Sequence, residues 1–250
     1  MYELEDYLKY PTECRVDNKI TKKQIYETAE LKTKDQQTFK DVEKIKWLYS
    51  LKKNNTNIDT FTDNEKDYTE IEIIEITLRK KQEKNIDRIA DIIHRTIPYP
   101  TLLIFHYYEQ IRLCVAHQRE HKSDYSKITL TDLRITKWIN LLELDTLDKK
   151  LFENLKLENL SHTNFYKLYE DIVNNIIIYN GSKEVGKEIK IPAEEIRQIN
   201  NQIYEIDKKI RKYKAELNKE TQFNKQTEIN MEIVKLNKEK KTLQEKLEEE

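Results

Sequence analysis

Glu70, Glu72 and Glu75 fall within one short stretch and are the densest set of carboxylates that a strand of this chain could present. With Asp59 or Asp67 nearby, they resemble the donors of a metal-dependent nuclease, where carboxylates hold a divalent ion. Such sites usually add a Glu-x-Lys lysine that positions water or substrate. Here Ile74 and Thr77 stand two positions after Glu72 and Glu75, which favours a solvated or partner-facing strand edge. Arg88 with His94, and Arg112 with His117, match a loose spacing in which His acts as acid or base and Arg stabilises phosphate charge. At about 100° per residue, Arg88 and His94 sit far apart around a helix, and Arg112 and His117 fall on opposite faces of a strand. Cys114, His117 and His121 are spaced superficially like zinc ligands, yet strand residues three apart point to opposite faces. No Ser–His–Asp order can be named either. These residues therefore assign no catalytic group, no metal and no cofactor.

Glycine usage excludes more. The 250 residues include only 2 Gly, where ordinary usage would give about seventeen. Phosphate-cradling loops, dinucleotide-binding turns and nucleophile elbows need Gly where the backbone approaches a ligand or takes positive φ. Gly181 and Gly186 sit in no such pattern, which excludes an NTPase or a nicotinamide enzyme. Charged residues make up 36% and the net charge is -1, so there is no global nucleic-acid signature. Locally, Lys22, Lys23, Lys52, Lys53, Lys80 and Lys81, with Tyr26, Trp47 and Tyr49, could contact phosphate and stack bases. Aromatics at helical spacing are more often core. The 2 cysteines, Cys14 and Cys114, fit a reduced cytoplasm. No signal-peptide pattern opens the chain and no apolar run is long enough to span a membrane, so a cytoplasmic location is expected.

The elements that must position these residues read as follows. Residues 21–33 and 37–51 are expected to be helices, the second with Phe39, Val42, Ile45, Leu48 and Tyr49 on one face. An extended segment over 56–61 leads through an acidic turn to a strand over 68–78. A bulge at Ile73–Ile74 is expected to gather its five apolar side chains on one face and Glu70, Glu72, Glu75 and Thr77 on the other. Residues 85–97 form an amphipathic helix ended by Pro98. A β-hairpin over 101–107 and 111–117 should lie centrally in the sheet, and 130–138 adds a strand. Helices are expected over 147–157 and 164–180, with Asn180-Gly181-Ser182 stopping the last.

From Ala193 onward there is no Gly and no Pro. Ile196, Ile199, Ile203, Ile206, Ile210, Tyr213 and Leu217 alternate in steps of three and four, the pattern of a coiled-coil seam. The register slips near 218–224, the stretch that also holds Phe223, a further partner-binding candidate. A second seam then runs Ile229, Ile233, Leu236, Lys240, Leu243 and Leu247. Two arms of near-equal length suit an antiparallel helical hairpin, with a dimerising rod as the rival. Such stripes must be covered, and all these apolar residues are candidates for binding a partner. The expected architecture is an α+β domain over 1–182, with a mixed sheet flanked by helices. A linker over 183–192 and a C-terminal coiled-coil hairpin over 193–250 follow.

Several stretches resemble, in order, the domain-of-unknown-function family 4391 of prokaryotes. They are Asp17-Asn-Lys-Ile-Thr-Lys-Lys-Gln-Ile-Tyr26, Ile45-Lys-Trp-Leu-Tyr49 with Thr56-Asn-Ile58, and Glu70-Ile-Glu-Ile73. Ile97-Pro-Tyr-Pro-Thr-Leu-Leu-Ile-Phe105 with Val115-Ala-His-Gln118 is the most telling. Lys219-Glu-Thr-Gln-Phe-Asn224 and Glu228-Ile-Asn230 close the match. The resemblance implies genes beside superfamily 2 helicases and DNA methyltransferases in antiphage, restriction-like operons. On that footing the expected role is a non-enzymatic accessory subunit that docks a helicase or methyltransferase subunit. Contact with DNA would come through the complex, and a homodimer is an open alternative. The rival is a metal-dependent nuclease using Glu70–Glu75.

Overall fold

The computed structural model describes residues 5–81, 85–121, 124–218, 220 and 222–248. Two compact units divide the chain at Ile176/Ile177. The first, the body, opens with helix α1 (Glu5–Leu8) and strand β1 (Arg15–Ile20). Helix α2 (Lys22–Thr28) starts at Thr21, whose hydroxyl accepts from Gln24 N–H while the Gln24 side chain accepts from Thr21 N–H. This reciprocal cap satisfies two donors that the first turn leaves open. Helix α3 (Thr33–Thr38) and a 3₁₀ turn at Phe39–Asp41 then lead into strand β2 (Val42–Lys52).

The helix expected over 37–51 is thus mostly strand. β2 bulges twice against its neighbour, between Val42 and Lys44 and between Trp47 and Tyr49. Each bulge inserts one residue without a ladder partner, so apolar positions recur every third residue and imitate a helix. After the single turn of α4 (Lys53–Thr56), β3 (Phe61–Thr62) and β4 (Asp67–Tyr68) pair across the acidic turn as a separate ribbon.

Strand β5 (Glu70–Leu78), helix α5 (Ile86–Thr96) and strand β6 (Thr101–Tyr107) make a parallel crossover. Pro98 stops α5, and Glu72 N–H donates to Pro100 C=O at 2.9 Å to open the parallel ladder. Strands β7 (Gln110–His121), β8 (Asp124–Ile135) and β9 (Ile139–Asn140) follow. The sheet order is β1-β2-β5-β6-β7-β8, with β9 also on β7, and among the described residues only the β5–β6 pair is parallel. Helix α6 (Thr146–Asn154) and helix α7 (Phe165–Val185) come next, and the division between units falls within α7.

The bulge expected in β5 lies instead on β2. β5 itself pairs with β6 without interruption from Glu72 to Thr77. Regular alternation then puts Glu70, Glu72, Ile74, Ile76 and Leu78 on one face and Ile71, Ile73, Glu75 and Thr77 on the other. On the first face, Ile74, Ile76, Leu78, Leu103, Phe105 and Cys114 pack with Ile86, Ile89, Ala90 and Ile93 of α5. The second face meets the start of α7. There the Tyr169 hydroxyl donates to Thr101 C=O at 2.8 Å and accepts from Ala116 N–H at 3.2 Å, with Ala116 C=O at 3.0 Å. A side-chain hydroxyl thus stands between β6 and β7 just beyond Leu103↔Cys114, the outermost pair of their ladder. Tyr169→Phe would strand buried main-chain groups and should cost about 2 kcal/mol, read as a shift in the urea midpoint at unchanged slope.

In the second unit α7 does not stop at Asn180-Gly181-Ser182 but continues to Val185. Gly186, at φ +76°, ends it, with its N–H donating to Ser182 C=O at 2.9 Å. Gly181 serves close packing instead. A Cβ there would lie 3.0 Å from Ile189 Cδ1 and 3.3 Å from Ile196 Cγ2. Helices α8 (Ala193–Leu217) and α9 (Phe223–Glu248) then fold back on each other. The protein is an α+β fold with a mixed sheet flanked by helices and a C-terminal pair of long helices. Among the described residues no helix is long and apolar enough to cross a membrane.

Candidate functional site

The outgoing end of β2 and the incoming end of β5 build a polar cluster at one end of the sheet. Their antiparallel register sets Ser50 opposite Glu72 and Lys52 opposite Glu70. The bulge at Leu48 brings Trp47, three residues before Ser50, to the same face. Both therefore serve Glu72, whose carboxylate accepts from Ser50 Oγ at 3.0 Å and from Trp47 Nε1. Lys52 Nζ reaches Glu70 at 2.6 Å, and the Tyr99 hydroxyl also donates to Glu70.

Glu72 is only 2% exposed. Burial pushes its carboxyl up to about 7, and Glu70 acts in the same sense, while the Ser50, Trp47 and Lys52 interactions oppose the rise. A carboxyl in this range holds or releases a proton near neutrality, and Trp47 and Ser50 enclose it within the sheet. Sequence signals do not show this cluster, because Trp47 and Ser50 lie in a stretch whose apolar spacing imitates a helix. The run of β-branched and aromatic residues from Val42 to Tyr49 was the available signal.

The three-glutamate set does not form. Glu75 faces away from Glu70 and Glu72 and instead pairs with His106 Nδ1 at 2.7 Å, an interaction that raises the His106 imidazole above its ordinary value. The Arg–His pairs separate as well. Arg88 binds Asp35 and Asp91 at the surface, at 2.8 Å and 2.7 Å. His94 is fully buried, with Nε2 3.6 Å from Cys114 Sγ, and burial pushes it down to about 3, so it stays neutral. Arg112 Nε donates to Thr136 C=O at 2.6 Å, while His117 Nδ1 meets the Tyr68 hydroxyl at 2.8 Å on the other face. Cys114 and His117 are accordingly on opposite sides of β7. The side chain of His121 lies outside the described residues.

The six lysines form no single basic track. Lys22 Nζ donates inward to Phe39 C=O at 3.1 Å and Val42 C=O at 2.6 Å, which makes it structural. Lys80 pairs with Asp41 at 3.2 Å and Lys23 with Glu27 at 3.6 Å. Lys81 Nζ stands 5.5 Å over the Trp138 ring. Lys52 and Lys53 pair with Glu70 and Asp59 at the far end of β2. The six thus gather in two groups at opposite ends of an eleven-residue strand.

In the helical pair, Ile196, Ile199, Ile203, Ile206, Ile210, Ile233, Leu236, Leu243 and Leu247 are buried. Tyr213, Leu217 and Ile229 are half-buried, and the Phe223 side chain lies outside the described residues. Within this chain the two arms thus bury these stripes, α8 lying against α9. Lys240, the polar residue in the second seam, reaches both carboxylate oxygens of Asp207 at 2.8 Å. One ion pair set into an apolar seam fixes which turn of α9 lies beside which turn of α8.

These features define a mixed-sheet α+β protein with a buried carboxyl cluster and two long C-terminal helices packed on each other. A family model described as a domain of unknown function (DUF4391) matches residues 8–239, and the chain belongs to that family. No curated protein and no solved structure matches it.

Proposed function

We propose that this chain is a non-enzymatic accessory subunit of a prokaryotic antiphage, restriction-modification-like complex. Its C-terminal helices dock a helicase or DNA methyltransferase subunit, and the complex works on DNA in the cytoplasm. One observation carries the docking half. With the seam filled from within, α9 still presents Met231 and Val234 outward, each 67% exposed and three residues apart on one face. Large apolar side chains paired on an otherwise charged helix favour contact with another protein.

The test is co-expression with the products of the neighbouring helicase and methyltransferase genes, followed by co-purification. The double variant Met231→Glu, Val234→Glu should abolish recovery of the partner while circular dichroism shows unchanged helix content. Co-purification at wild-type yield would refute the docking surface. Light scattering at two protein concentrations separates the remaining case, in which this face joins two copies of the chain.

A further inference from the structure

The body carries a second apolar surface, far from α9 in sequence and built differently. Tyr107 pairs with Gln110, so β6 and β7 are joined by a two-residue loop, Tyr108–Glu109. Tyr108 takes φ +50°, a conformation that Gly, Asn or Asp usually supplies in such loops and that costs a bulky residue about 1 kcal/mol. The strained residue presents its ring outward at 72% exposure. That ring rests edge-on against Tyr107, with centroids 4.7 Å apart, which limits its motion. Leu141 N–H donates to Glu109 C=O at 2.8 Å, and the Tyr7 hydroxyl donates to Leu141 C=O at 3.1 Å. These bonds hold the next residue, Leu142, beside the loop at 55% exposure.

A pinned, exposed Tyr ring suits a binding hot spot, because little freedom is lost when it is covered, and Leu142 adds exposed apolar surface one residue from the segment bonded to the loop. The charge around it selects the occupant. Glu109 and Glu143, the neighbours of Tyr108 and Leu142 in sequence, are both exposed. Carboxylates there repel phosphate and favour a cation at the rim. We propose that Tyr108 and Leu142 dock a short segment of a partner protein that presents Lys or Arg beside an apolar side chain. This surface is independent of the one on α9.

The experiment selects a phage-displayed library of short random peptides on the full chain and measures the enriched peptides by fluorescence anisotropy. Tyr108→Gly is the key variant, since it removes the ring while relieving the backbone, so its melting temperature should not fall. Enriched peptides should share a basic residue next to an apolar one. They should lose about tenfold or more in affinity on Tyr108→Gly or Leu142→Ser. Glu109→Lys with Glu143→Lys should also weaken them, and Met231→Glu with Val234→Glu should not. An acidic consensus, no enrichment, or undiminished binding to Tyr108→Gly overturns the proposal. So does single-strand oligonucleotide binding, or dimerisation by light scattering, that disappears in Tyr108→Gly, since either identifies a different occupant.

Discussion

Glu72→Gln should stabilise the body by about 3 kcal/mol at pH 8 and flatten its stability between pH 4.5 and 7. The sign follows from proton uptake. In the unfolded chain this carboxyl titrates near 4.5, and in the fold burial lifts it to about 7. Between those values the folded chain holds a proton that the unfolded chain has released, so stability falls as pH rises through the window. Below it both states are protonated and nothing is lost. Above it the full cost of an enclosed charge is present. Gln keeps the shape, accepts from Trp47 through its carbonyl and donates to Ser50 Oγ, and cannot ionise. Urea midpoints of wild type and variant at pH 5, 6, 7 and 8 test this, and parallel curves would refute it.

Ile206→Ala should cost the helical pair about 3 kcal/mol, the usual range for truncating a buried aliphatic side chain. Ile206 lies one residue before Asp207, at the level where Lys240 ties the two helices together. Most of the stability of a helix in a protein comes from packing its amphipathic face rather than from propensity, so each arm depends on the other. Hydrogen exchange should therefore rise in α8 and α9 together, while amides of β5, β6 and β7 keep their protection. Faster exchange confined to the single turn around the substitution would show that the arms do not stabilise each other.

Much of this fold was legible in local pattern. The Thr21 cap, the amphipathic run from Ile86 to Ile97 and the β-hairpin after Pro100 each carry their signal within a few residues. So did the phase slip between the two C-terminal seams, and Lys240 was visible as a polar intruder whose partner, Asp207, was not. What escaped depends on pairing between distant segments. β2 reads as a helix because its two bulges give apolar residues a spacing of three, and a bulge is defined only against a partner strand. The same error hid the Glu72 cluster and assigned Glu75 to the wrong face. Gly181 was read as a stop because its close neighbours, Ile189 and Ile196, come later in the chain. The lysines were counted as free charge because ion pairs such as Lys80 with Asp41 join residues far apart in sequence.

The extra residue at Leu48 has an evolutionary corollary. Trp47 and Ser50, three apart, share a side only because Leu48 stands without a ladder partner, since an uninterrupted strand puts residues three apart on opposite sides. Losing Leu48 would leave Trp47 two positions before Ser50 in an unbroken strand, still on the side of Glu72, and exchanging it for another aliphatic residue preserves the arrangement as well. A one-residue deletion at this point should therefore be tolerated about as well as a substitution, since every ladder pair upstream of Trp47 keeps its partner on β5.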